Sequence, residues 1–514
     1  MRAKGVRIGI ALLAAAFLVV SLGASARAQR GPIRVVVALN GEPATLDGHD
    51  MLAHEREFFP QVYDKLVEFN ERAQVVPQLA TSWTFTPDGK VYTFKLRQGV
   101  KFHDGTPVTS DGVKRAFDRL MNPENRLPRR AVFSMLERVE VVDLYTVRFI
   151  LKEPFGAFLA TLANPSASIV NPYVAERLGR DRFKATPSGS GPFRFAEWTS
   201  GNRIVLRKVP DHWESATNNI DEIVFRFVPE ENARAVGLET GELDVVLVLP
   251  PAEAVRLRGN PKIQVINAPL ARIQGLYVNM RKKPFSELKV RHAMAHAIDK
   301  KAIVDNFLRG FGRVADSPLP QGVWPYKAQK VYDFDLERAK KLMAEAGYAG
   351  GFRATMWVPV GTYTASQQIS EALAGMLKKI NIDLKLDIRE SAQWLSELRT
   401  RGVDEMSYYG WGNQSGDADY SLRTNFLSTL FAPQCCNRQF YRNPEVDALL
   451  MKGASAVDPR ERRQAYEKVQ ELLWQEQPWV YISTINRVSA NTRRVKNVVY
   501  LPTEWIHLRN ARVE

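Results

Sequence analysis

From residue 34 to residue 249 the chain alternates short runs of β-branched and aromatic residues with turns and helically spaced segments, and that alternation limits the fold more than any other feature. Arg34–Leu39 (Arg-Val-Val-Val-Ala-Leu) is a strand candidate that ends at Asn40-Gly41. The following ten residues, 41–50, hold a proline, two glycines and two aspartates and read as a loop. Residues 83–85, Pro87-Asp88-Gly89 and Val91–Leu96 read as a β-hairpin, with Tyr92, Phe94 and Leu96 on one face. Ser110 is placed to cap a helix that carries Val113, Phe117 and Leu120 and stops near Asn122-Pro123. Thr146–Leu151 alternates again. The run Ser188-Gly189-Ser190-Gly191-Pro192 reads as a flexible connection, followed by strands at 193–195, 204–207, 223–227 and 244–249. Strands interleaved with helices point to α/β domains.

Beyond residue 285 helices dominate. One is expected over 290–307. Another is marked by Leu336, Ala339, Leu342, Met343 and Ala346 and stopped by Gly347, and a third spans 366–380, ahead of a strand at 383–388. Asp458 and Pro459 open a last helix that ends before Pro478. At 514 residues the chain is too long for one core and calls for two or three domains. Two cysteines exclude a disulfide scaffold or a zinc-ribbon array. They are adjacent, Cys435-Cys436, and their sequence leaves a vicinal disulfide, two thiols or an intermolecular link open.

The first 28 residues read as a secretory signal. Arg2, Lys4 and Arg7 precede an apolar run, and Ala26-Arg27-Ala28 is an A-x-A cleavage site. No cysteine follows for a lipid anchor, and no later apolar run is long enough to span a membrane. A periplasmic product is expected. The formal charge is +15, with 71 basic and 56 acidic side chains. The basic residues come as scattered pairs among acids rather than as a stripe, so no nucleic-acid partner is expected.

Signatures of chemistry are sparse. His292 and His296 are four apart, but Ala293-Met294-Ala295 between them lacks the glutamate of a zinc hydrolase. Ser188-Gly189-Ser190-Gly191 fails the G-x-S-x-G spacing, and no phosphate-cradling loop occurs. The sequence therefore gives no catalytic residue, no metal site and no cofactor. The segment 408–420 (YYGWGNQSGDADY) instead combines aromatic walls, glycines and hydrogen-bonding side chains, a mixture suited to a small-molecule pocket.

Residues 77–120 (PQLATSWTFTPDGKVYTFKLRQGVKFHDGTPVTSDGVKRAFDRL) resemble the signature of bacterial extracellular solute-binding proteins of family 5, the binding components of peptide/nickel-type ABC importers. The similarity continues in order through GSGPFRFAEW (189–198), ETGELDVV (239–246), 277–304, 335–348, the Trp411 loop and YRNPEVDALL (441–450). The resemblance implies a type II periplasmic-binding-protein fold of α/β class with three domains. Lobe I would comprise 30–56, 186–275 and 487–514. An inserted domain II would be 57–185, and lobe III 276–486. A solute would lie in the cleft between lobes I and III, and closure would present the protein, as a monomer, to an inner-membrane ABC permease.

By the same resemblance, the cleft would be faced by Thr45, Leu46, Asp47 and His49 from lobe I and by Tyr363, Trp411, Gly412, Asn413 and Asp417 from lobe III. Dipeptide binders of the family place an aspartate after the pocket tryptophan and an arginine before the helix at 366. Here those positions hold Gln414 and Val360. Asp417 or Asp419 would replace the first anchor, and Arg389 or Arg423 the second. A peptide or peptide-like solute is the leading expectation. The alternatives are an opine, an oligosaccharide or a metal chelate, and a sensor or chaperone role in place of transport.

Overall fold

The computed structural model describes residues 31–50, 57–214, 218–360 and 362–514. The signal segment, residue 30, residues 51–56 of expected lobe I and Gly361 of the Tyr363 loop lie outside these residues. Arg34–Leu39 forms as expected and takes the middle of an eleven-stranded mixed sheet. It pairs in parallel with Glu222–Phe227 on one side and with Val245–Val246 on the other. Only these two residues of the expected strand 244–249 are paired. On the far side of Glu222–Phe227 the sheet continues antiparallel through Arg203–Lys208 to Phe193–Thr199.

Two long strands, Ile263–Val278 and Trp479–Thr492, carry this sheet across the expected limits of lobes I and III. Their antiparallel register shifts between Pro269 and Ile273, where proline withholds a donor from the ladder. Beyond the shift the sheet extends through Met406–Gly412 to the parallel pair Phe352–Val360 and Ile382–Glu390. The expected lobe limits at 275/276 and 486/487 thus fall inside these two strands. The segment 57–185 has its own four-stranded antiparallel sheet, ordered Ala80–Phe85, Val91–Leu96, Thr146–Leu151, Leu136–Asp143. The hairpin faces are as read: Tyr92, Phe94, Val147 and Phe149 are buried.

Three local expectations are corrected. The helix at 110 is capped by Thr109, whose hydroxyl accepts from the Gly112 amide, while Ser110 is its first residue. The helix expected over 290–307 breaks after Ala297, because the Asp299 side chain caps a new turn at Ala302. The Ser188–Pro192 connection is buried and fixed: the Gly191 amide donates to the Val62 carbonyl at 2.9 Å, and Ser190 Oγ donates to Asp64 at 3.0 Å. Cys435 and Cys436 form a vicinal disulfide.

Candidate functional site

A cavity of about 380 Å³ lies over the crossing of the two long strands. Asn40, residues 247–249, Arg272, Arg487 and Val488 line it from the segments expected as lobe I, and Thr362, Tyr363 and Thr364 from that expected as lobe III. Arg272 sits just past the register shift in Ile263–Val278, opposite Gly412 on the neighbouring strand. Its guanidinium gives two hydrogen bonds to Glu504 Oε1, at 2.9 and 2.5 Å. Burial alone would lower the Arg272 pKa, but the Glu504 carboxylate holds it above the ordinary arginine value. Arg487 also donates to the Glu504 backbone carbonyl. A Cβ on Gly412 would fall 2.8 Å from Glu504 Oε1 and 3.0 Å from Arg272 Nη2, so glycine leaves room for this ion pair.

The aromatic wall follows from the alternation of Met406–Gly412. Tyr363 Oη donates to the Gly410 carbonyl at 3.0 Å, and its ring packs edge-on against Trp394, Tyr408 and Tyr409. Burial, then the neighbouring Tyr409, raises the Tyr363 pKa, so its phenol stays protonated. Trp411 is half-buried beside Tyr420, and its indole N–H has no hydrogen-bond partner. Of the expected site residues, Tyr363 lines the cavity and Gly412 borders an arginine–glutamate pair that the sequence reading missed, whereas the Trp411 ring, on the other face of its strand, packs on Tyr420.

The other expected site residues lie elsewhere. Thr45, Leu46, Asp47 and His49 do not face the cavity; all four are buried against the inserted segment. Arg119 of helix Ser110–Met121 binds both Asp47 oxygens, at 3.2 and 2.5 Å, and donates to His49 Nδ1. His49 Nε2 donates to the Ser168 carbonyl at 2.8 Å, and the Leu46 amide donates to the Lys184 carbonyl. Burial first, then Arg119, pushes His49 down to about 4. Asn413 is fully buried and ties its own loop, donating to the Asp417 carbonyl and Ser421 Oγ. Asp417 caps helix Ala418–Phe426 and is gripped by both ends of the Arg462 guanidinium, at 2.9 and 2.8 Å.

The suggested stand-in anchors are also engaged within the chain. Asp419 accepts from Arg423 and Tyr466, and Arg389 is shared by Asp387 and Glu397. Gln414 turns its carbonyl to Asn164 of the inserted segment at 3.2 Å. His292 and His296 each contact a backbone carbonyl, of Gln475 and Asp333. Among the described residues no group of three or more His, Cys, Asp or Glu side chains is placed to hold a metal ion, and no helix is long and apolar enough to cross a membrane.

Comparison with known proteins places this geometry in context. The model of bacterial extracellular solute-binding proteins, family 5, matches residues 74–432. The glutathione-binding protein GsiB of Pectobacterium atrosepticum is 31% identical over 481 residues, covering 93% of each chain. HbpA2 of Haemophilus parasuis superposes with a TM-score of 0.84 at 28% identity, over 94% of this chain and 100% of that one. The periplasmic binding protein DppA of Helicobacter pylori, solved with the peptide STSA, superposes at 0.79 and 29% identity, over 94% and 99%.

Proposed function

Because the chain belongs to the bacterial extracellular solute-binding proteins of family 5, we propose that it captures a peptide-like solute with free carboxylates in the cavity between lobes I and III. It then delivers that solute, as a periplasmic monomer, to an ABC permease, with no covalent chemistry of its own. The observation that supports this reading is the Arg272–Glu504 pair on the cavity wall. A guanidinium donates hydrogen bonds to a carboxylate, and a glutamate accepts from an ammonium. Arg272 gives Nε and Nη2 to Glu504 and keeps Nη1 to meet a solute carboxylate, in place of the arginine absent at Val360. Tyr363 supplies a flat wall for the solute's apolar parts.

Relatives that bind glutathione or peptides bear on size: a tripeptide with two carboxylates and one ammonium suits an arginine-rich wall. The test is a thermal-shift panel on ligand-stripped protein with glutathione, dipeptides, tetrapeptides, an opine and a disaccharide. A solute at about 1,000 times its Kd adds about 4 kcal/mol to stability. The expected result is a rise with glutathione or short peptides that disappears when their carboxylates are amidated. A rise with the disaccharide alone, or one indifferent to amidation, contradicts the reading.

A further inference from the structure

We propose that a second cavity, between the inserted segment and the C-terminal strands, is a binding site for a neutral polyhydroxylated solute of monosaccharide size, anchored by His507. This cavity measures about 490 Å³ and shares no lining residue with the one between the lobes. Small-molecule sites commonly span roughly 300–1,000 Å³. Its walls are the antiparallel strands Val67–Phe69 and Val75–Pro77 on one side, and Val499 with His507 on the other, which pair in a short ladder of their own.

His507 lines the cavity with only 8% of its surface exposed, and neither ring nitrogen makes a hydrogen bond. A buried polar group without a partner is costly, and native proteins rarely leave one so. Nε2 stands 3.5 Å from Glu68 Oε2, too far and too poorly aligned to satisfy it. Burial, against the opposing Glu68 carboxylate, pushes His507 down to about 4, so the ring is neutral and presents one donor and one acceptor. A hydroxyl group matches both roles.

The surrounding charges settle the class of solute. Glu68 is held by Lys65 at 2.7 Å, and Glu214 by Arg509 at 2.7 Å. Glu71 and Arg72 also line the cavity. Glu68 and Glu214 are thus each already paired with a cation of the chain, so neither offers a free carboxylate to a cationic solute. Phe69 and Val76 offer apolar surface for the C–H face of a sugar-like ring.

The experiment follows imidazole ¹H–¹⁵N resonances of the whole protein during titration with D-glucose and with myo-inositol, using acetate and methylammonium as charged probes. His507→Gln assigns the signal, and Val76→Trp fills the cavity without touching the anchor. The expected result is a saturable shift of the His507 resonances with at least one polyol. Affinity should fall by about tenfold or more in either variant, with solute binding between the lobes unchanged. No shift with either polyol, a shift with acetate or methylammonium instead, or polyol binding that survives Val76→Trp would overturn the proposal. Should His507→Gln fail to fold, Val76→Trp alone decides.

Discussion

Asp417 shows how far single residues could be read. An acid shortly after a pocket tryptophan looked like a ligand anchor, yet its oxygens are filled by Arg462, 45 positions on. Sequence spacing cannot show such a pairing. Arg272 was hidden for the opposite reason: it is one arginine in an apolar strand, and only the fold brings Glu504 to it. Tyr363, expected near the cleft from the resemblance, lines the cavity, whereas Trp411, expected there too, packs on Tyr420 on the other face of its strand. Asp417→Asn should leave Arg462 as an uncompensated buried charge and cost about 3–5 kcal/mol of stability. Urea unfolding measures it, and a loss under about 1 kcal/mol would show that the pair is dispensable.

The buried histidines predict a pH dependence. His49, His103 and His507 each titrate near 4 in the folded chain, burial being the largest cause. In the unfolded chain they bind protons near pH 6.5. Above that value they contribute no slope. Between about pH 6.5 and 4 the unfolded state takes up protons that the native state refuses, so stability falls as pH falls, by up to about 1.4 kcal/mol per pH unit for each histidine. Equilibrium unfolding from pH 8 to 4 should show that decline, with a shallower slope in His49→Gln. A flat profile would mean the rings protonate freely in the folded state.

Among the elements, those with a clean period were readable: Val91–Leu96, Thr146–Leu151 and Ser110–Met121 stand within a residue or so of expectation. The two strands that join the lobes were not. Pro269 interrupts the alternation of Ile263–Val278, and its ladder tolerates the break only by shifting register. The 188–192 run misled because glycine signals flexibility as often as close approach. Here it is approach: a Cβ on Gly191 would lie 2.6 Å from the Val62 carbonyl carbon and 2.7 Å from the Gln61 oxygen. Gly191→Ala should therefore destabilise by about 1–3 kcal/mol through forced backbone shifts. An unchanged urea midpoint would show that the segment yields, as the sequence suggested.

At the scale of the whole molecule, the apolar cores cross the expected lobe limits. One apolar cluster runs from Val37 and Phe225 of lobe I through Tyr63 to Phe94 and Phe149 of the inserted segment. Two further clusters fill expected lobe III, one of them taking in Ala271 and Ile273 from the lobe I side. The excised segment 57–185 should therefore show no cooperative thermal transition, whereas a sharp one would mean that its sheet is self-sufficient. This arrangement leaves the crossing strands, and the cavity above them, as the place where lobe III meets the rest.

The central claim is that Arg272 on that wall receives the solute's carboxylate. Isothermal titration of ligand-stripped protein and of Arg272→Ala with the solute selected by the thermal-shift panel tests it directly. The account predicts a loss of at least about 1.5 kcal/mol of binding free energy, over tenfold in Kd. Carboxylate-amidated solute should bind the two proteins alike. Equal affinity of both proteins for the unmodified solute would contradict it and place the anchor elsewhere.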